Sequence, residues 1–181
     1  MDIEVVSRAI SGDRDAFAAI AGTQVDQLYA VAFRICRDAS VAEDATQRAL
    51  MEMWRHVRDV RTPDRFEGWS YRVLVRACYQ ELRGQRRWHR ALEAIPSRSN
   101  LDDESEAVIE RDVLRQAFRR VPMEQRAVIV LHHYVDLPLP RIAEILQIPM
   151  GTVRSRLFYG MRSLRGALEA NERLAAEERQ A

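Results

Sequence analysis

The sequence predicts an all-α protein built from two small helical domains that are joined by a flexible linker. Apolar residues recur at a spacing close to 3.6 along most of the 181 residues, and few stretches alternate with a period of two. Between the two periodic halves lies a run with little periodicity that contains the acidic sequence SRSNLDDESE. We place the domains at 1–87 and 108–170, the linker at 88–107 and a tail at 171–181.

Composition narrows the class of protein. The chain has 28 basic and 27 acidic residues, and 47% of its residues are hydrophobic, which is typical of a globular protein. No apolar run approaches the roughly 20 residues that span a bilayer, and the first residues lack the basic-then-apolar order of a signal peptide. We therefore expect a cytoplasmic chain without membrane insertion, in which Cys36 and Cys78 are packing residues.

The first two helices follow from apolar spacing and helix-ending residues. The first is predicted at 3–10, because Ser11 and Gly12 follow it. The second is predicted to begin at Asp13 or Asp15 and to break around 37–40, with Phe17 and Ile20 facing inward.

The next two helices complete the first half. Ser40 is followed three residues later by Glu43, which is the pattern of a capping box, so a third helix is predicted at 41–58. A loop at 60–64 contains a proline and precedes a fourth helix at 66–85.

Four further helices are predicted after the linker. Prolines and an Asp-Leu-Pro turn separate them, and Pro140 is tolerated in a first helical turn because its missing N–H is not needed there. The predicted bounds are 108–118, 123–134, 140–146 and 152–168.

The segment LPLPRIAEILQIPMGTVRSRLFYGMRSLR predicts a helix-turn-helix. A short helix is followed by a tight connection and by a second helix whose N-cap is predicted to be Thr152. Val153, Leu157, Gly160 and Met161 share the packing side of that second helix. A helix of this kind enters the major groove of DNA.

Charge placement supports DNA binding. All 28 basic residues are arginines, which a GC-rich genome would also explain. Residues 150–165 hold four arginines and no acid, and 83–98 hold five arginines and one acid. Arginine binds phosphates and guanine edges bidentately, so these two islands favour contact with nucleic acid.

The predicted helix at 41–58 favours a protein partner instead. Ala42, Ala45, Ala49, Met53 and Trp54 are predicted to face the domain. The opposite side mixes acidic, basic, amide and apolar side chains.

Together these motifs resemble the extracytoplasmic-function group of bacterial RNA polymerase sigma factors. RIAEILQIPMGTVRSRL is very similar to that family's region 4, which reads the −35 element. In region 2, SVAEDATQRALMEMWR resembles the helix that grips core polymerase, and RFEGWSYRVLVRACYQELRGQRR resembles the helix that opens and holds promoter DNA.

The resemblance implies a function and a set of partners. The chain would direct core RNA polymerase to promoters in the bacterial cytoplasm, binding the −35 element as duplex and capturing a flipped base of the −10 element. The expected partners are the clamp coiled coil of the largest polymerase subunit, promoter DNA and an anti-sigma factor. We expect a monomeric free protein that needs no metal or other cofactor.

The same resemblance assigns three sets of residues. The polymerase face comprises Asp44, Gln47, Arg48 and Met51. The −10 set comprises Arg61, Thr62, Asp64, Arg65, Phe66, Arg72, Arg76, Tyr79 and Arg83. The −35 set comprises Thr152, Arg154, Ser155, Arg156, Phe158, Tyr159 and Arg162.

Five positions depart from the family pattern. Arg48 stands where an acid is usual, Arg76 where Asn is usual and Gln80 where Asp is usual. Gln147 replaces the turn glycine and Tyr159 a frequent arginine, which predicts a left-handed residue with a side chain and a shifted −35 preference.

Three alternatives remain open on sequence alone. A helix-turn-helix regulator would bind operator DNA without polymerase, and a polymerase-binding mimic would sequester an anti-sigma factor. An enzyme is disfavoured, because His132 and His133 are adjacent on a helix and diverge by about 100°, so they cannot share a metal.

Overall fold

The computed structural model describes residues 2–93 and 117–178, and it is helical throughout these ranges apart from short connections. Residues 117–120 are also helical, and two 3-10 turns, Val57–Asp59 and Pro63–Arg65, connect α3 to α4. No strand occurs among the described residues, so the all-α prediction is confirmed. The helices are α1 (Ile3–Ile10), α2 (Arg14–Cys36), α3 (Ala39–His56), α4 (Phe66–Glu93), α5 (Met123–His133), α6 (Leu139–Leu146) and α7 (Met150–Glu178).

The N-terminal half is a bundle in which α2, α3 and α4 pack against one another and α1 packs on α2. The inward residues that periodicity predicted on α2, Phe17 and Ile20, are both buried. Cys36 and Cys78 are also buried in this core as free thiols. A hydrogen bond with Cys36, together with burial, raises the pKa of the Cys78 thiol.

The start of α3 differs from the capping-box prediction. Asp38 is the N-cap, and its carboxylate accepts a hydrogen bond of 2.9 Å from the backbone N–H of Val41. The Ser40 hydroxyl donates to the same carboxylate instead of capping the helix. The helix therefore begins at Ala39, with the Asp38 carboxylate in place of the Ser40 hydroxyl as its side-chain cap.

The C-terminal half packs α7 against α5 and α6. Gly160 permits the close approach of α7 to α5, since a Cβ at this position would lie 2.8 Å from Cδ1 of Ile129. Ala117, Val121 and Leu164 form a second apolar cluster with Ile129 on this side of the bundle.

The two halves pack against each other. Helix α2 contacts α5 and α4 contacts α6, and one apolar core runs from residues such as Leu28 to residues such as Ile142. The guanidinium of Arg34 on α2 lies 3.6 Å from the ring centre of Tyr134, which follows α5. The described parts of the two halves are therefore in direct contact.

Two predicted bounds change. Helix α4 continues to Glu93, beyond the predicted domain end at 87, and α7 continues to Glu178, into the predicted tail. Most of the predicted linker and residues 108–116 of the next predicted helix lie outside the described residues.

Within residues 2–93 and 117–178, no helix combines the length and the apolar character needed to cross a bilayer.

Candidate interfaces with DNA and RNA polymerase

The turn of the helix-turn-helix is formed by a left-handed residue with a side chain, as predicted. Gln147 has φ 54° and ψ 45°, and its N–H reaches the last carbonyl oxygens of α6. The N–H of Ile148 donates to the carbonyl oxygen of Ala143 at 3.2 Å. These bonds complete the C-cap of α6 and direct the chain into α7.

The predicted N-cap of α7 is wrong. The helix begins at Met150, and the N–H groups of Thr152 and Val153 donate to the carbonyl oxygen of Pro149 at 2.9 and 3.1 Å. Thr152 therefore lies inside the first turn, half-buried, and its own carbonyl oxygen accepts a bond from the Ser155 hydroxyl.

The outward side of α7 is basic and aromatic. Arg154, Ser155 and Arg162 are exposed, and Phe158 is 63% exposed. The exposed ring of Tyr159 meets that of Phe158 edge-on, with centroids 5.3 Å apart. This surface offers guanidinium groups for phosphates and guanines and apolar rings for thymine methyl groups.

A groove of about 680 Å³ runs along one flank of α7. Arginines at 154, 162 and 165 and the apolar side chains of Leu157 and Phe158 line it. Met161 also lines it and is exposed, whereas the helical pattern had predicted that it packs inward.

Arg156 faces the other half of the protein. Its side chain is half-buried, and its charge acts on the phenol of Tyr79 on α4. Burial raises the pKa of Tyr79, and Arg156 opposes part of that effect. One residue of the −35 set therefore lies beside one residue of the −10 set.

The loop before α4 presents four of the −10 residues at the surface. Arg61, Thr62, Asp64 and Arg65 are all exposed. A hydrogen bond from Thr62 lowers the pKa of Asp64, with smaller contributions from Arg65 and from Arg141 on α6. The loop is thus polar, and Asp64 lies within the electrostatic reach of Arg141 in the helix-turn-helix.

Phe66 is a correction to the −10 set. Its side chain is 1% exposed and lies in the N-terminal core, where it contacts the ring of Trp69 at 5.6 Å between centroids. An aromatic ring in this position stabilises the start of α4 and offers no face to a base. Tyr79 is largely buried as well, and its hydroxyl has no hydrogen-bond partner among the described residues.

Arg72 is bound to the helix-turn-helix. Its Nε donates to the carbonyl oxygen of Ile145 at 2.9 Å, and its Nη2 donates to that of Glu144 at 3.1 Å. Both acceptors lie at the C-terminal end of α6, where carbonyl oxygens lack helical partners and carry partial negative charge. Arg76 and Arg83, the other arginines of this set on α4, are exposed.

A groove of about 490 Å³ lies between α3 and α4 beside this set. Arg76, Trp69 and Gln80 line one side, and His56 and Asp59 line the other. Of these lining residues, the predicted −10 set contained only Arg76. Gln80, singled out in the sequence because it stands where Asp is usual, lies one turn further along the same face of α4.

The four residues of the predicted polymerase face come together in an adjoining groove of about 490 Å³ on the exposed side of α3, which shares Arg48 and Glu52 with the groove just described. Asp44, Gln47, Arg48 and Met51 all line it. Glu81 of α4 also lines it and forms an ion pair with Arg48. The basic residue that departs from the family pattern is therefore paired with an acid within this chain.

Trp54 is placed differently from the prediction that it faces the domain. Its indole is 41% exposed on the same side of α3 as Met51. One ring face contacts Phe17 of α2, with centroids 5.2 Å apart.

The described residues contain no group of three or more His, Cys, Asp or Glu side chains arranged to hold a metal ion. His132 contacts the carbonyl oxygen of Leu137 through Nδ1 at 2.9 Å, and its ring lies 4.6 Å from that of His133. His132 is half-buried and His133 is exposed.

Comparison with known families gives two matches in chain order. Residues 23–88 match Sigma-70 region 2, and residues 111–164 match Sigma-70 region 4. Together the matches cover well over half of the chain.

Individual proteins match over most of their length. The chain is similar to the ECF RNA polymerase sigma factor SigL of Mycobacterium tuberculosis, with 32% identity over 88% of this chain and 95% of that protein. It is 26% identical to the ECF RNA polymerase sigma factor SigW of Bacillus subtilis over 90% of this chain and 94% of that protein. Its fold resembles the sigma factor RpoE of Bartonella quintana in complex with the anti-sigma factor NepR, with a TM-score of 0.68, 19% identity and coverage of 84% and 96% of the two chains.

Proposed function

Because the chain belongs to the extracytoplasmic-function group of RNA polymerase sigma factors, we propose that its separate surfaces bind core polymerase, the −35 element and the −10 element in one initiation complex. The protein directs core RNA polymerase to specific promoters and initiates transcription there. The observation that carries the assignment of surfaces is the difference between them: residues 150–165 of α7 hold four arginines and no acid, whereas the groove on α3 has mixed charge.

The −35 element is assigned to α7. Arg154, Arg162 and the rings of Phe158 and Tyr159 are exposed on one side of this helix, and a major groove admits an α-helix. Arginine contacts with phosphates make the affinity fall with salt, and each good base contact contributes about 1–3 kcal/mol of discrimination. Tyr159, at a position where the family often has arginine, is the residue we expect to shift sequence preference.

The −10 element is assigned to α4 and the loop before it. Arg61, Arg65, Arg76 and Arg83 offer exposed positive charge along the path of a single strand. The groove beside Trp69 supplies an aromatic surface and, through Arg76 and Gln80, hydrogen-bonding groups for an unstacked base. Holding that base offsets the few kcal/mol that unstacking costs.

Promoter binding requires the two halves to separate. The −35 and −10 elements are named by their positions in the promoter, which differ by about 25 base pairs. This separation is about 85 Å of B-DNA at 3.4 Å per base pair. Here Arg72 of the −10 set is hydrogen-bonded to α6 of the helix-turn-helix. We assign the closed arrangement to the free protein and an open arrangement to the promoter complex.

Control by an anti-sigma factor fits this arrangement. The similar RpoE fold is held in a complex with the anti-sigma factor NepR. A partner that binds across both halves of this chain would stabilise the closed form and keep the DNA-binding surfaces apart from promoters. We place this control in the bacterial cytoplasm and assign the chain no bond-making or bond-breaking chemistry of its own.

Gel filtration of the purified chain with core polymerase tests the assignment of surfaces. We expect the wild-type chain and Arg154→Ala to co-elute with core enzyme, whereas Asp44→Arg elutes separately. In a binding assay with duplex −35 DNA, Asp44→Arg should bind like the wild type, whereas Arg154→Ala should bind more weakly. Equal loss of both activities in either folded variant would contradict the division of labour, and no complex with the wild-type chain would contradict the proposal as a whole.

A further inference from the structure

We propose that Arg58 is a positioning residue for the −10 element: the corner between α1 and α2, at Gly12, holds its guanidinium and thereby fixes the loop at 57–65. This loop comprises the two 3-10 turns and the residues between them. The inference rests on the proposed function and deepens it, because Arg58 was not assigned to the −10 element and α1 lies outside the segment 23–88 that matches Sigma-70 region 2.

Helix α1 supports both turns of this loop. It packs against each of the two 3-10 turns, although α2 and α3 separate it from them in sequence. Val57 and Val60 of the loop are buried, and they belong to the apolar core that also includes Val6 and Ala9 of α1. The four polar loop residues assigned to the −10 element are all exposed. The apolar side of the loop is therefore fixed in the core, and its polar side faces solvent.

Gly12 admits the guanidinium of Arg58 to the corner. A Cβ on Gly12 would lie 2.7 Å from both Nε and Cζ of Arg58, which is too close for a real side chain. Gly12 also has φ 97°, a conformation that glycine adopts without the strain a Cβ would add. The C-terminal end of a helix carries partial negative charge, which favours a guanidinium beside the last turn of α1. The missing side chain at Gly12 is therefore what lets Arg58 lie against the corner.

The corner is held together independently of the loop. Oδ1 of Asp13 accepts hydrogen bonds from the N–H groups of Asp15 and Ala16 at 2.9 and 3.0 Å, which caps α2. Oδ2 of the same carboxylate accepts hydrogen bonds from Nε and Nη2 of Arg8 on α1 at 2.9 and 2.6 Å. One carboxylate thus joins the last turn of α1 to the first turn of α2. The guanidinium of Arg58 lies on a surface whose geometry is set by other residues.

A fixed loop matters for choosing between bases. A site discriminates when its polar groups are held in one arrangement, and ordering a mobile loop on binding costs conformational entropy. Removing Arg58 should therefore lower the preference for the captured base. A direct contact of Arg58 with a phosphate would instead be lost equally for every sequence and would reduce the salt slope.

Base discrimination by the holoenzyme tests the positioning role. The measured quantity is the ratio of affinities for the −10 element of a promoter selected with the chain and for single-base variants of it, with holoenzyme assembled from the full chain and core polymerase. Arg58→Ala should lower this ratio about fivefold at the captured base, with an unchanged salt slope and unchanged co-elution with core enzyme. Gly12→Ala retains the charge of Arg58 but displaces its guanidinium, so this variant should lower the ratio as well.

Two substitutions of the same kinds are the matched controls. Arg14 is exposed beside the same corner, and a Cβ at Gly22 on α2 would have no atom within 4 Å. Arg14→Ala and Gly22→Ala should both keep the wild-type ratio. Thermal unfolding of all four variants reports on folding separately.

The outcomes separate the inference from the proposed function. A wild-type ratio for folded Arg58→Ala refutes the positioning role. A reduced salt slope for Arg58→Ala, together with wild-type behaviour of Gly12→Ala, is the pattern of a direct phosphate contact and refutes it too. If the wild-type holoenzyme itself shows no preference at any base of the −10 element, the assignment of this loop to the −10 element is refuted instead.

Discussion

The guanidinium of Arg72 donates hydrogen bonds to the carbonyl oxygens of Ile145 and Glu144, so a residue assigned to the −10 element caps the first helix of the helix-turn-helix. The pKa of Arg72 is lowered chiefly by burial and further by Arg76 and Arg141, yet the group remains charged at neutral pH. While both bonds persist, the Nε and Nη2 edge of the Arg72 guanidinium is held against α6 and is not available for bidentate binding of a promoter phosphate. Closure and promoter binding therefore compete for it.

Arg72→Ala should shift the free protein toward the open arrangement. Loss of two partly exposed, charge-assisted hydrogen bonds removes about 1–2 kcal/mol from the closed form. Small-angle X-ray scattering of the full chain should show a larger radius of gyration. Arg76→Ala, one turn away and without a hydrogen bond to α6 in the described residues, is the control and should keep the wild-type radius. Equal radii for all three proteins would mean that Arg72 does not stabilise the closed form.

Arg154→Ala should weaken binding to duplex −35 DNA by at least about fivefold and reduce the salt slope by about one. The reason is that Arg154 is exposed on the outward side of α7, with no ion pair among the described residues. Fluorescence anisotropy across a salt series measures both quantities. Arg14→Ala on the exposed side of α2 is the matched loss of charge, and a similar loss with this variant would show that only net charge matters.

Two glycines of α7 should respond oppositely to alanine. Gly160→Ala places a Cβ 2.8 Å from Cδ1 of Ile129 and 3.1 Å from Cβ of Gln125. We therefore expect this variant to lower the free energy of unfolding by about 1–3 kcal/mol. A Cβ at Gly166 would have no atom within 4 Å. Because alanine favours the helix over glycine, Gly166→Ala should raise the free energy of unfolding by about 0.5–1 kcal/mol. Calorimetry should show Tm shifts of opposite sign; a lower Tm for both would contradict the packing described for α7.

Asp38 and Glu43 separate two accounts of how α3 begins. Asp38→Ala removes the observed cap and should cost about 1 kcal/mol, whereas Glu43→Ala, which the capping-box prediction would penalise, should change little. Urea unfolding at pH 7 measures the free energy of unfolding of both variants. A larger loss of stability for Glu43→Ala than for Asp38→Ala would support the capping box instead.

The effect of Asp38 should depend on pH with a defined sign. Burial acts to raise the pKa of this carboxyl, but hydrogen bonds from the Val41 N–H, Ser40 and Gln85 outweigh it, so the folded pKa is lowered. A lowered folded pKa stabilises the protein above the unfolded value of about 3.9, and this contribution is lost as pH falls through the folded pKa. The difference between wild type and Asp38→Ala should therefore be constant near neutral pH and shrink in acid.

Helix identity was predictable because it depends on local periodicity. The spacing that includes Phe17 and Ile20 identifies the buried side of α2 without knowledge of any other helix. The left-handed conformation of Gln147 was predictable from its place in the turn. Comparison with sigma factors confirmed the family that the two motifs indicated.

The site details that differed depend on contacts between distant segments. Phe66 was assigned to DNA because it is aromatic and close to arginines in sequence, yet the packing of α2, α3 and α4 buries it. Trp54 was assigned to the core by its helical position, yet Phe17 covers only part of it. The partner of Arg72 lies more than 70 residues away, so no local pattern could indicate it.

In vitro transcription with purified core polymerase is the most direct test of the central claim. We expect the chain to produce a transcript with a single start site from promoters selected with it, and Asp44→Arg and Arg154→Ala each to reduce that transcript. Specific DNA binding without any start-site-directed transcript, under conditions where another sigma factor supports one, would contradict the account.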